Sequence, residues 1–158
     1  MISIYVETTV ISYATARPSR IVVVAAQQQL TTRWWQHALP RFDLRVSPLV
    51  RAEAARGDAA AASLRLKLIH ELPEIPLTAT ALDLAQNLTR ALQLPARASA
   101  DAAHVALAAV AKCEYLVTWN CKHIANPGFR RTIDSVCLNQ GHTAPVICTP
   151  AEMLEVTP

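Results

Sequence analysis

Apolar positions along this chain alternate between short unbroken runs and longer stretches with helical spacing. Residues 2–6 and 115–118 are compact, mostly apolar segments containing β-branched or aromatic side chains, their length suits buried strands, and 44–47 reads as a further strand. Two shorter runs, 75–77 and 146–148, read as further strands. Between them lie helical stretches. Glu7, Thr8 and Thr9 form a polar loop before a helix carrying Val10 and Ile11, and residues 21–39 contain no Gly or Pro and stop at Pro40. Within that second helix, Trp34 and Trp35 point about 100° apart, which predicts one in the core. Pro48 suits the first turn of a helix that carries Leu49, Val50 and Glu53, places Glu53 early, and stops at Gly57. Further helices are predicted over 58–71, over 78–93 with Thr78 or Thr80 as its cap, over 99–112 with Ser99 as its cap, and over 128–140.

Strands separated by helices pair in parallel through right-handed crossovers, so the expected fold is α/β, a three-layer α/β/α domain with a mostly parallel sheet. The 158 residues suit one domain, 1–158, with no linker or repeat. Hydrophobic residues make up 52% and aromatics 5%, so the core must be built mainly of Ala, Val, Leu and Ile. Four cysteines, Cys113, Cys121, Cys137 and Cys148, form no C-x-x-C pair, and no signal peptide or long apolar span accompanies them. That combination predicts a cytoplasmic protein with reduced thiols and no membrane association. A zinc site on Cys121 and His123 matches no usual ligand spacing.

The net charge of +3 is too small to argue for nucleic-acid binding by itself. Its distribution adds a little, because Arg17, Arg20, Arg33, Arg41, Arg45, Arg51 and Arg56 fall in the first third and Lys122, Arg130 and Arg131 near the end. Arginine could line a phosphate-binding surface, and solvated helix faces explain the same residues about as well.

In parallel sheets the ligand site lies beyond the carboxyl ends of the strands. Four polar residues qualify by position. Glu7 follows the first strand, Glu53 sits in the helix after the second, Asp101 occupies the first turn of a later helix, and Asn120 comes two residues after Thr118. A helix start favours the ionised form of Asp101. Several carboxylates gathered without lysine partners repel one another unless a cation is shared, and Mg²⁺ or Mn²⁺ meets that demand with hard oxygen ligands. Metal-assisted phosphodiester hydrolysis is the chemistry such a cluster suits.

The segments I-Y-V-E-T-T-V-I-S-Y at 4–13, S-A-D-A-A-H-V-A-L-A at 99–108 and Y-L-V-T-W-N-C-K-H-I-A-N-P at 115–127, with the Glu53 helix between them, resemble PIN domains. More closely, the chain resembles VapC-type toxins of bacterial type II toxin–antitoxin systems over nearly its whole length. The resemblance implies a ribonuclease in which Glu7, Glu53 and Asp101 bind Mg²⁺ or Mn²⁺ and Asn120 takes the fourth position, helping to place the attacking water. It places Thr8 beside the first acid, to orient it or hold a water, and Thr118 as a supporting residue. It also implies an RNA substrate, an antitoxin protein partner and a homodimer. Two positions depart from the pattern. Glu7 stands where most PIN domains have aspartate, which shifts its oxygens by roughly an ångström, and Asn120 replaces an aspartate found in many relatives, leaving three charges instead of four.

His104, one turn after Asp101, is expected to hydrogen-bond it. His123 is expected to structure its loop through Asn126 or to touch a phosphate, and Trp119 to be half-buried at a strand end. Two other functions remain open at this level: a PIN-like module that binds RNA or a protein without cutting, and a metal-dependent phosphatase with an enclosed pocket.

Overall fold

A computed structural model describes residues 1–156. Its centre is β1 (Ser3–Val6), in which Ile4, Tyr5 and Val6 are fully buried, as a strand covered on both faces must be. Beside it run β2 (Asp43–Arg45), β3 (Tyr115–Val117) and β4 (Val146–Cys148), all parallel, in the order β2-β1-β3-β4. Tyr5 is level with Arg45 on one side and Leu116 on the other. Because the chain leaves β1 first toward β2 and later crosses back to β3, the strand order reverses between β1 and β3. A crevice opens at the carboxyl ends of strands at such a reversal.

Helices cover both faces, giving an α/β/α sandwich. Helix α1 (Thr8–Thr15) packs on α2 (Val22–Ala38), while α3 (Pro48–Ala54) and α4 (Ala59–Leu68) contact α1. On the other side α5 (Ala79–Ala91) packs against α6 (Ser99–Val110) and α7 (Arg130–Asn139). A short α8 (Pro150–Met153) closes against α2; Thr149 and Glu152 start it by capping each other's backbone, with Pro150 in its first turn. Among the described residues no helix is long and apolar enough to cross a membrane.

The structure departs from the sequence reading in four places. The stretch 75–77 is not a strand, since Pro76 has no N–H to give and only the neighbouring Glu74 forms an isolated bridge, to Val46. Ser99 does not cap α6. A 3₁₀ turn, Ala96–Ala98, runs straight into that helix and leaves Ser99 already helical. Trp34 and Trp35 are both buried, because α2 contacts α8 as well as α1 and a wide arc of it is covered. Glu53 lies in the last turn of its seven-residue helix rather than early, because α3 stops at Ala54, before Gly57 turns the chain at φ +82°.

Candidate functional site

Glu7 leaves the end of β1 and becomes the N-cap of α1. Its backbone N–H continues the sheet to the Val117 carbonyl at 3.1 Å, so the side chain sits at the mouth of the β1/β3 crevice. A carboxylate only 3% exposed needs donors, and it has them. Oε2 accepts from the Thr118 hydroxyl at 2.7 Å, from the Thr9 hydroxyl, and from the Thr9 backbone N–H at 3.2 Å. Each hydroxyl also accepts a backbone N–H, that of Asn120 at Thr118 and that of Trp119 at Thr9, both at 2.9 Å. The two threonines thus tie the start of α1 to the loop after β3.

Thr9 is the functional contact that sequence reasoning missed. It had only an adjacent Thr-Thr pair to work with, and the N-cap geometry assigns the roles the other way round. Thr9 serves Glu7, whereas Thr8 turns away and donates to Glu53 Oε1 at 2.9 Å.

Glu53 Oε1 also accepts from His104 Nε2 at 2.7 Å. His104 therefore does not bond Asp101. It lies on the buried side of α6 with no exposed surface, and its other ring nitrogen is 2.8 Å from the Tyr5 hydroxyl, itself 2.8 Å from Ser47 Oγ. Glu7 Oε1 lies 4.0 Å from the same His104 Nε2, so two acids flank one imidazole nitrogen. Burial pushes the Glu53 carboxyl up, but the hydrogen bonds from His104 and Thr8, with the charge of Arg56, outweigh it and leave the group below its ordinary value. Burial also drives the Tyr5 phenol far above its usual value, so its hydroxyl keeps its proton.

Asp101 sits in the first turn of α6 as expected, and its partner is His123, whose Nδ1–H donates to Oδ2 at 2.8 Å. His123 is thus directed to an acid and not to Asn126, which instead donates to the Lys122 carbonyl and accepts from Gly128 N–H. Asn120 is occupied by its own loop. Its Oδ1 accepts the His123 backbone N–H at 3.0 Å, three residues on as in a helix cap, which fixes the histidine's backbone. Trp119 is half-buried as expected, stacked on Tyr13 at 6.1 Å and 24°, with its indole N–H on Thr31 at 2.7 Å.

Among the described residues, none of these three acids pairs with Lys or Arg. Two arginines of the candidate basic surface are committed elsewhere, Arg45 to Asp43 and Arg51 to Glu74. Cys113 and Cys137 are pushed up to about 11 and Cys148 to about 12 by burial, which leaves them protonated and inert. A depression of about 600 Å³ lined by Lys112, Tyr115 and His142 opens at the start of β3, the end away from the acids.

The residues fit a hard divalent ion in kind, though not as a preformed cage. Each carboxylate gives one oxygen to protein donors and, among the described residues, keeps the other uncommitted. No three His, Cys, Asp or Glu side chains among the described residues are already gathered as a metal site. Mg²⁺ does not require such a cage, since it holds several waters and takes one or two carboxylates together with substrate phosphate.

No family model matches the chain, and no curated protein matches it. A solved structure does. The chain resembles one in the crystal structure of VapBC2 from Rickettsia felis bound to a DNA fragment from their promoter, with a TM-score of 0.60 and 14% identity, over 94% of this chain and 98% of that one. The fold is PIN-like. That likeness is one of fold, with the β1/β3 crevice as the place where a ligand site is expected.

Proposed function

We propose that this chain is a metal-dependent endoribonuclease of PIN-domain type and the toxin of a toxin–antitoxin pair. The observation that carries the reading is the pair of acids, Glu7 and Glu53, flanking His104 Nε2 at 4.0 and 2.7 Å beside the strand-order reversal, with no Lys or Arg ion-paired to either among the described residues. Asp101, in the first turn of the helix that also carries His104, is the third acid of the proposed set. These three acids would hold Mg²⁺ or Mn²⁺, which when bound supplies an activated water for in-line attack on phosphorus and offsets charge on the phosphate oxygens.

The side chains divide the remaining work. Thr9 and Thr118 fix the Glu7 carboxylate, Thr8 and His104 fix Glu53, and His123 fixes Asp101. Exposed Arg56, Lys122 and Arg131 are available for the RNA backbone. An antitoxin partner is proposed because the similar fold comes from a VapBC2 complex, and the exposed run Ile21, Val22 and Val23 gives a protein partner apolar surface to cover. A homodimer is part of the same proposal, by resemblance.

Calorimetry with Mn²⁺ and cleavage of a labelled single-stranded RNA, with and without chelator, test the reading together. Asp101→Asn should lower cleavage by about 100-fold or more, the loss of several kcal/mol of charge stabilisation. No Mn²⁺ uptake, with cleavage unchanged in Asp101→Asn, sinks the proposal. One observation favours a second reading, a PIN-like module that binds RNA or a protein without cutting. The Asn120 side-chain oxygen is spent on its own loop, so the fourth position offers the reaction little.

A further inference from the structure

Glu53 is awkwardly placed for a carboxylate. It lies in the last turn of α3, where the helix carbonyls make negative charge unfavourable, and it is partly buried. Something must hold it there as an anion. A row of buried polar groups reaches it from the interior: Ser47, Tyr5 and His104, on three different elements, linked by contacts of 2.8, 2.8 and 2.7 Å.

Hydrogen-bond accounting gives this row one direction. Ser47 Oγ accepts the Val50 N–H at 3.2 Å as the N-cap of α3, and the one remaining neighbour recorded for its own hydrogen, among the described residues, is the Tyr5 oxygen. Ser47 therefore donates to Tyr5, Tyr5 donates to His104 Nδ1, and a neutral imidazole keeps its proton on Nε2 for Glu53 Oε1. The opposite direction strands the serine hydrogen in a fully buried site. With a neutral ring it also leaves a bare Nε2 lone pair 2.7 Å from a carboxylate, and with an imidazolium, which Glu53 and Glu7 would pair, the serine hydrogen is still left without an acceptor.

We propose that Ser47, Tyr5 and His104 form a one-way hydrogen-bond relay that fixes the His104 tautomer and holds Glu53 with Oε2 free for a cation, which makes His104 a positioning residue. The relay starts at the cap of α3 and returns to the last turn of the same helix, so it clamps both ends of the element that presents the acid. Thr8 adds a second donor to Oε1 and leaves Oε2 as the outward oxygen. The part of this inference that concerns the cation rests on the metal-dependent reading above.

Three measurements on the full chain test it. In metal-free protein at neutral pH, imidazole nitrogen NMR should show His104 protonated on Nε2 and bare on Nδ1; the other tautomer, or the imidazolium, overturns the relay. Mn²⁺ calorimetry should show affinity lower by about 10-fold or more in His104→Leu. His104→Gln, whose amide can present a donor near the Nε2 position, should recover most of it. Tyr5→Phe, which removes one oxygen and preserves the ring, should weaken Mn²⁺ in the same direction by a smaller factor, and it stands in if His104→Leu fails to fold. Wild-type binding that is unchanged in His104→Leu, or in Tyr5→Phe where that variant stands in, overturns this proposal alone. Absence of Mn²⁺ binding by the wild type overturns the metal reading with it.

Discussion

Two histidine–acid pairs belong to the proposed site, and they are built differently. His104 belongs to the interior: it has no exposed surface, both ring nitrogens are engaged, and its neighbours come from β1 and α3. His123 belongs to a loop. Its side chain and that of Asp101 are 17% and 20% exposed, and its loop is held by Asn120, whose side chain accepts the His123 N–H and whose carbonyl accepts those of Ile124 and Ala125. The first histidine is held by the packing that holds the core, whereas the second is held by a loop and by its acid, although the two acids themselves are about equally covered, Glu53 at 23% and Asp101 at 20% exposed.

The contrast can be broken most directly at the buried end. His104→Ala should lower unfolding free energy by about 3 kcal/mol in urea titrations, since it opens a cavity and leaves Tyr5 and Glu53 short of partners. A loss below about 1 kcal/mol would mean that the interior pair is no more structural than the loop pair. His123→Ala should cost less than about 1 kcal/mol on the same scale and mainly free the Asp101 carboxylate. A loss as large as that of His104→Ala would erase the distinction.

Acid titration gives the smallest and sharpest signal. Glu53 is held below the ordinary glutamate value of 4.5, so the stability it contributes is complete above that value and is lost as pH falls through the lower folded value. In metal-free protein, the stability gap between wild type and Glu53→Gln should hold steady from neutral pH down to about 5 and narrow below it. A gap that widens in acid would show that His104 and Thr8 do not stabilise the anion.

The positions of two of the acids, though not that of Glu53 in its helix, were legible because strand ends and helix starts are local features. Glu7 follows a buried strand and Asp101 opens a helix, and both stand where expected. Their partners were not legible. Thr118 meets Glu7 from 111 positions away and His104 meets Tyr5 from 99, distances over which periodicity carries no information. The exchange of roles between Thr8 and Thr9 turns on a single step of helix phase, fixed only when Glu7 caps α1. Pro76 could have excluded the strand at 75–77 from the sequence alone, because a proline cannot donate in a ladder. The burial of both tryptophans depended on α8, a four-residue helix too short to announce itself by spacing.

The order of the strands also has a consequence for synthesis. β1 lies inside the sheet, and the neighbour that completes the crevice, β3, comes more than 100 residues after it in the chain. Non-local pairing of this kind delays folding until the distant partner exists. A chain that has not yet been extended to Thr118 already contains Glu7 but lacks the hydroxyl that holds its carboxylate, so this contact forms only after the 111 positions between them have been made.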